Sequence, residues 1–311
     1  MISSFFGKTK PINYIVLSVF MFLFYCFHVY IEAGQKIDID KIPFQVLTLG
    51  VLLLSIYIIN RIVRIEKVTD FSSYAILFFV LLFVVFSDVL LDNDAIFCNF
   101  FLLLAIWRLL AIKSIKNVKH KVFDASLLIC LASLFYDWAL VFLILVFLVI
   151  NIYDKKTIKN WMVPIVSVLT IAILVFTVLK VDDNISFFIE HYTFTMDLLT
   201  EGFYKQGVTI KLIIYSIVIV LLMLLVFIRL QKKGGGKQVL LQIVFSTFIL
   251  GVIVSFFKSS DNHPVIFTFF PTAVFLTNYL ETIKKMRLRE IAFIVFIVLS
   301  FSVYAVEVYG N

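Results

Sequence analysis

The run VTIKLIIYSIVIVLLMLLVFI, residues 208–228, is apolar along its length and carries a single charged residue, Lys211, near its start. A helix of about 20 apolar residues spans the ~30 Å hydrocarbon core of a bilayer. Polar and apolar residues do not alternate here as they would in a strand of a transmembrane barrel. The stretch therefore predicts a membrane-crossing helix, and it decides the fold class.

Eight further runs of this kind recur along the chain, at 12–31, 43–60, 71–90, 95–112, 162–180, 238–257, 264–281 and 290–308. The composition agrees, since the 311 residues are 62% hydrophobic and only 15% charged, whereas soluble domains average about a quarter charged. So few charges cannot cover a water-facing surface, which excludes a soluble enzyme, a secreted disulfide scaffold and a disordered linker. We predict an all-α integral membrane protein, with residues 1–311 forming one polytopic domain.

Lysine and arginine are concentrated in six short segments between these runs, at 8–10, 61–67, 108–121, 155–159, 229–237 and 284–289. Basic residues of multispan proteins collect in cytoplasmic loops, so we assign these segments to the inside. The inner side then holds 21 basic and 6 acidic residues, a net +15, and the outer side holds 6 basic and 14 acidic residues, a net −8. The overall charge of +7 is thus a signal of topology, and we expect no nucleic-acid partner.

The apolar stretch 125–152 is too long for one span and short for two. Basic segments flank it on both sides, and only a hairpin keeps both of them inside. Each arm would be roughly 20 Å of helix at 1.5 Å per residue, so the hairpin is either re-entrant or just reaches the outer face, with its tip at 136–138. Counting both arms, we predict about eleven transmembrane helices, with a cytoplasmic N-terminus and a periplasmic C-terminus.

Asp137, at this tip, is the first candidate for a functional residue. An ionisable side chain at membrane depth is costly unless it is paired or hydrated, so it often marks a functional site. Irregular backbone at such a tip is tolerated where it lines a cavity. The alternative is a tip that reaches the outer interface, where Asp137 would be a solvated turn residue and Trp138 an interfacial anchor.

The external segment 181–207 is the second candidate. Its apolar residues recur every three or four positions, a pattern typical of an amphipathic helix lying on the membrane surface. Glu190 and His191 fall on or near its polar side. As a lid over an outward-facing cavity, this helix would supply a carboxylate as general base. The alternative is a solvated polar face, whose acids only reflect the negative net charge of the outer side.

External acids and basic residues at span ends complete the candidate set. Glu32, Asp38 and Asp40 lie in the first external loop, and Asp88, Asp92 and Asp94 in the second. A carboxylate there could deprotonate the acceptor of a lipid-linked glycosyl transfer, while ordinary polar loops would carry the same residues. Arg108 and Lys211 could hold a lipid phosphate, with snorkelling to head groups as the alternative.

Neither a metal site nor a cofactor is predicted. His28, His120, His191 and His263 show no i, i+4 pairing, and the three cysteines fall in apolar runs. No phosphate-binding glycine loop precedes Lys237, since Gln231 stands where its first glycine would be needed. ATP-driven transport by this chain alone is therefore not expected.

Three stretches carry a resemblance: MISSFFGKTKPINY at 1–14, FDASLLI at 123–129 continuing as LASLFY at 131–136 with Trp138, and Trp161 followed by Pro164. Together they resemble an uncharacterised family of multispan inner-membrane proteins of Gram-negative bacteria. The resemblance implies a bacterial inner-membrane location and assigns no activity or functional residue. The order of basic loop, short hairpin and basic loop is also similar to multispan glycosyltransferases that use polyprenyl-phosphate sugars, a likeness of architecture alone.

Three functions follow as hypotheses. A non-catalytic subunit or scaffold of a cell-envelope assembly, with membrane-protein partners, is the first. The second is a transferase or handler of lipid-linked glycans at the outer face, with membrane lipid or polyprenyl phosphate as its partner. The third is a secondary transporter, disfavoured because polar residues are scarce within the runs. An outward cavity where carboxylates converge would favour the second hypothesis.

Overall fold

The computed structural model describes residues 5–7, 10–32, 42–70, 72–194, 207–230, 235–257 and 263–310. This part of the chain is α-helical and contains no strand, as predicted. Its helices are α1 Pro11–Glu32, α2 Ile42–Glu66, α3 Tyr74–Val85, α4 Asn93–Leu110, α5 Val118–Ala132, α6 Leu143–Tyr153, α7 Ile158–Val181, α8 Phe187–His191, α9 Gly207–Leu230, α10 Gly235–Phe256, α11 Phe269–Thr282 and α12 Met286–Gly310. Short 3₁₀ segments at Ser87–Leu90, Ala111–Ser114, Asp137–Phe142 and Pro264–Thr268 join or extend them.

Seven of these helices are long and apolar enough to cross a membrane: α1, α2, α4 with its 3₁₀ extension, α7, α9, α10 and α12. Each coincides with one of the predicted runs. The runs 71–90 and 264–281 are instead divided between a 3₁₀ segment and a shorter α-helix. The described chain therefore has the character of a multipass membrane protein, with seven full-length helices accompanied by shorter apolar ones.

The short helices α3 and α11 lie at the centre of the bundle. Every residue from Tyr74 to Val84 is buried, and α11 is buried from Phe269 to Asn278. The two helices contact each other, with the rings of Phe83 and Phe269 5.0 Å apart. A helix that is apolar on all sides is suited to such an interior position, whereas α7, α9 and α12 expose apolar side chains on the outside.

Ion pairs and polar contacts between helix ends define one end of the bundle, which we call the basic end. There the Lys113 ammonium lies 2.9 Å from the buried Glu66 carboxylate. Glu281 accepts hydrogen bonds from the Asp70 amide and the Ser72 hydroxyl, at 2.9 and 2.8 Å. These contacts tie α2, α4 and α11 together where their loops carry the basic segments.

The stretch 118–153 folds back on itself, with its turn at 133–136. Two ring contacts pack this tip against the segment that precedes α11: Tyr136 with Phe267 and Phe142 with Phe267, at centroid distances of 5.7 and 6.0 Å. We call this end of the bundle the tip end. The second arm begins as a 3₁₀ segment at Asp137, so the tip is irregular backbone held against protein.

The segment 181–207 is not one continuous helix in its described part. α7 runs to Val181, a five-residue helix follows at 187–191, and residues 192–194 are non-helical. The backbone is left-handed at Asp183 and Phe194, with φ of 52° and 46°, and a left-handed residue interrupts a right-handed helix. Within residues 182–194, helix is therefore confined to the five-residue piece at 187–191, and residues 195–206 of the predicted amphipathic helix lie outside the described chain.

Candidate functional site

A cavity of about 430 Å³ opens at the tip end, between the hairpin turn, the start of α4 and the segment around α8. We call it the tip cavity. Its lining combines two acids, a histidine and several aromatic rings: Asp94, Leu134, Phe135, Tyr136, Asp137, Trp138, Phe187, His191, Thr193 and Phe257. It unites two of the predicted site residues, Asp137 and His191, and adds a carboxylate from the second external loop.

The start of α4 places Asp94 in the cavity wall. Asp92 is the N-cap of this helix, and its carboxylate accepts the Ala95 amide at 2.9 Å and the His263 amide at 2.5 Å. These two bonds fasten the helix start to the segment that precedes α11. Asp94 follows in the first helical turn, where the helix dipole favours a negative charge.

Asp137 is half-buried, and both of its carboxylate oxygens accept backbone amides. Oδ1 accepts the Trp138 amide at 2.7 Å, and Oδ2 accepts the Phe194 amide at 3.0 Å. The second bond ties the segment after α8 to the hairpin tip. Because each carboxylate oxygen has more than one lone pair, Asp137 retains acceptor capacity toward the cavity.

His191 is held in place by the turn. Its Nε2 lies 2.8 Å from the Ser133 carbonyl oxygen, which can only accept, so Nε2 carries a proton. In a neutral imidazole, Nδ1 is then an acceptor. The ring of His191 also stacks on Phe187, with centroids 4.8 Å apart. The histidine is therefore an oriented group on the cavity wall.

The remaining wall is aromatic. The ring of Trp138 contacts Phe257 and Phe194, at centroid distances of 4.7 and 5.4 Å. Tyr136 is only 4% exposed, and its hydroxyl has no hydrogen-bond partner within the described chain. A buried hydroxyl without a partner is costly, and this one belongs to a residue of the cavity lining.

An apolar cleft of about 280 Å³ lies beside the tip cavity. Its lining is hydrophobic apart from Cys130, Ser133 and the Tyr192 hydroxyl, and it comprises Cys130, Ser133, Leu134, Leu140, Val168, Ile171, Ala172, Val175, Phe188, Tyr192 and Phe194. We call it the α7 cleft. Leu134 lines both spaces, so a polar chamber and an apolar one adjoin at the hairpin turn.

The segment 187–194 contributes residues to the lining of both spaces. Phe187, His191 and Thr193 line the tip cavity, whereas Phe188, Tyr192 and Phe194 line the α7 cleft. The Tyr192 hydroxyl lies 3.1 Å from the Ser133 hydroxyl, and burial raises the pKa of Tyr192 although this hydrogen bond opposes the effect. One short stretch thus presents polar groups to one side and apolar groups to the other.

Of the other predicted site residues, those in the described chain do not join this cavity. Glu32 and Glu190 are exposed and are not among its lining residues, while Asp38 and Asp40 lie outside the described residues. Arg108 forms an ion pair with Asp124 at 3.3 Å, near the end of α4 away from Asp94.

Lys211 forms an ion pair with Glu307, and its ammonium lies 4.5 Å from the centroid of the Phe86 ring. It lines a separate pocket of only about 20 Å³, too small for a lipid head group. Neither predicted phosphate ligand therefore reaches the tip cavity, and the cavity's described lining contains no lysine or arginine.

Sequence reasoning named Asp94 only among the six external acids and did not select Tyr136 as a site residue. Asp94 stood out only as one of three acids in a short loop, and Tyr136 only as part of the hairpin tip. Their convergence depends on packing between distant segments, for which the sequence has no local pattern. Within the described chain, no group of three or more histidine, cysteine or acidic residues is placed to hold a metal ion.

Comparison of the chain with known protein families, with curated proteins and with solved structures found no match.

Proposed function

We propose that the protein is a bacterial inner-membrane protein that handles a lipid-linked substrate, such as a lipid-linked glycan, at the outer face of the membrane. The observation that carries the proposal is the adjacency of the tip cavity and the α7 cleft. A head group would occupy the first and a hydrocarbon chain the second. Ligand sites combine an apolar lining with a few placed polar groups in this way.

The orientation in this proposal follows the positive-inside rule. The basic end carries Arg61, Lys113, Lys156 and Lys285 on its helix ends and loops, so we assign it to the cytoplasm. The tip end then faces the periplasm, the N-terminus is inside and the C-terminus is outside. With the shorter apolar segments counted, the chain would cross the membrane as about eleven helical segments.

Asp94 and Asp137 would be the chemical groups of this site. A carboxylate within hydrogen-bond reach of a hydroxyl or an amine can act as general base. His191, with Nδ1 free to accept, could orient the same head group. The proposal favours the lipid-handling hypothesis over a non-catalytic scaffold, because Asp137 and the exposed Asp94 line one and the same cavity.

A photoreactive decyl glucoside with a diazirine at its chain end tests the proposal. Protein held in an uncharged amphipathic polymer is irradiated with this probe, and the labelled peptides are mapped by mass spectrometry. We expect the label on cleft residues, including Leu140 and Val168.

A matched pair of variants on α7 provides the control. Val175→Trp fills the cleft and is expected to remove the label there, whereas Leu174→Trp changes a neighbouring outward-facing residue and should leave it. Labelling spread over exposed faces of α7, α9 and α12, unaffected by Val175→Trp, would overturn the proposal and favour the scaffold hypothesis.

A further inference from the structure

We infer that the tip cavity recognises a cationic head group, an amine or ammonium carried by the lipid. This inference rests on the proposed function and names the substrate class of the same site. It is drawn from the charge balance of the cavity, from its aromatic walls and from one unpartnered hydroxyl.

The charge balance is the first argument. Asp94 and Asp137 line the cavity together with one histidine, His191, and no lysine or arginine of the described chain lines it, so acids outnumber basic side chains in the described lining. The carboxylate oxygens of Asp137 accept hydrogen bonds from the backbone amides of Trp138 and Phe194, which carry no charge. Electrostatic complementarity therefore favours a positively charged guest and disfavours a phosphate.

The aromatic walls are the second argument. Tyr136, Trp138, Phe187 and Phe257 line the cavity together with the two acids. Cations are attracted to the faces of aromatic rings, most strongly to tryptophan, and cages of such rings recognise ammonium groups. A neutral sugar would also hydrogen bond to the carboxylates, but it would gain nothing from their charge.

The unpartnered Tyr136 hydroxyl is the third argument, because it indicates a ligand independently of the acids. It is buried in the wall and makes no hydrogen bond within the described chain. A hydroxyl both donates and accepts, so an amine that reached this group would satisfy it. The cavity lining thus includes two acids and one residue whose hydroxyl lacks a partner in the described chain.

Competition against the photoreactive decyl glucoside tests this inference. The competitors share a decyl chain and differ in head group: decylammonium, decyl glucoside and decyl phosphate. Decylammonium should displace the probe at a concentration on the order of tenfold lower than decyl glucoside, and decyl phosphate should be the weakest. The preference should shrink as salt is added.

Two substitutions locate the preference. Asp94→Asn and Asp137→Asn should each reduce the advantage of decylammonium over decyl glucoside, while chain labelling in the α7 cleft persists. Asp94→Asn is the more secure variant, because Asp137 also ties the hairpin tip to Phe194. Glu190→Gln changes an exposed acid in the segment 187–194 and should leave the advantage of decylammonium over decyl glucoside unchanged.

Equal displacement by decylammonium and decyl glucoside, or a preference that survives Asp94→Asn, would overturn the inference. The proposed function would then stand as long as the cleft is still labelled and Val175→Trp still removes the label. Loss of cleft labelling in the unmodified protein would instead overturn the proposed function.

Discussion

Individual polar residues at the tip end serve two distinct purposes. Asp92 has a structural role, because its two carboxylate oxygens accept hydrogen bonds from the backbone amides of Ala95 and His263. Asp94, two residues later, lines a cavity. The sequence shows three similar acids in one loop and gives no means of assigning these roles, because the difference lies in which backbone amides packing brings near each carboxylate.

Replacing Asp92 with alanine should destabilise the protein. The variant loses the N-cap of α4, a change that costs about 1–2 kcal/mol, and it leaves the His263 amide without its carboxylate. We expect a lower midpoint of thermal unfolding for the purified protein. Asp182→Ala removes an exposed acid near the end of α7 and should leave the midpoint unchanged, so equal losses in both variants would contradict the assigned cap.

At the scale of elements, hydrophobic runs predict the long helices well and the interior ones poorly. All seven full-length helices coincide with predicted runs. The run 71–90 changes from α-helix to 3₁₀ at Phe86 although its composition stays apolar. Such a break depends on neighbouring segments, as does the interruption of 181–207, so neither has a signature in hydropathy.

The contact between α10 and the 3₁₀ segment 264–268 depends on Gly251. A Cβ atom at this position would lie 3.0 Å from Thr268 Cγ2 and 3.2 Å from the Phe267 carbonyl carbon. Gly251→Ala should therefore lower the free energy of unfolding by about 1–3 kcal/mol through overpacking. We expect a lower midpoint of thermal unfolding and a less tightly packed tip cavity.

Gly50→Ala is the matched control, because nothing lies within 4 Å of the added Cβ. That substitution in the interior of α2 should be neutral or stabilising by up to about 1 kcal/mol, since alanine favours helix over glycine. A Gly251→Ala variant as stable as Gly50→Ala would show that the close approach is unimportant.

At the scale of the whole molecule, charge distribution predicts which end of the bundle faces the cytoplasm. Labelling of single added cysteines with a membrane-impermeant thiol reagent tests that orientation. For the proposed inner-membrane location, Asp182→Cys, at the tip end, should react once the outer membrane is permeabilised, whereas Lys156→Cys should react only after the inner membrane is opened. The unmodified chain is the control for its own three cysteines. Reaction of both variants at the first step would contradict the topology.

The central pairing of α3 with α11 has a consequence for biosynthesis. These two helices are far apart in the chain, yet each covers the other in the interior, and α3 also packs on α12 through the stacked rings of Phe78 and Phe293. When the nascent chain has been synthesised only as far as α10, α3 is therefore in the membrane without α11 and α12, the two helices that later pack on it. The native bundle can close only when the last two helices arrive, so maturation is a late event and C-terminal truncations should be cleared by quality control.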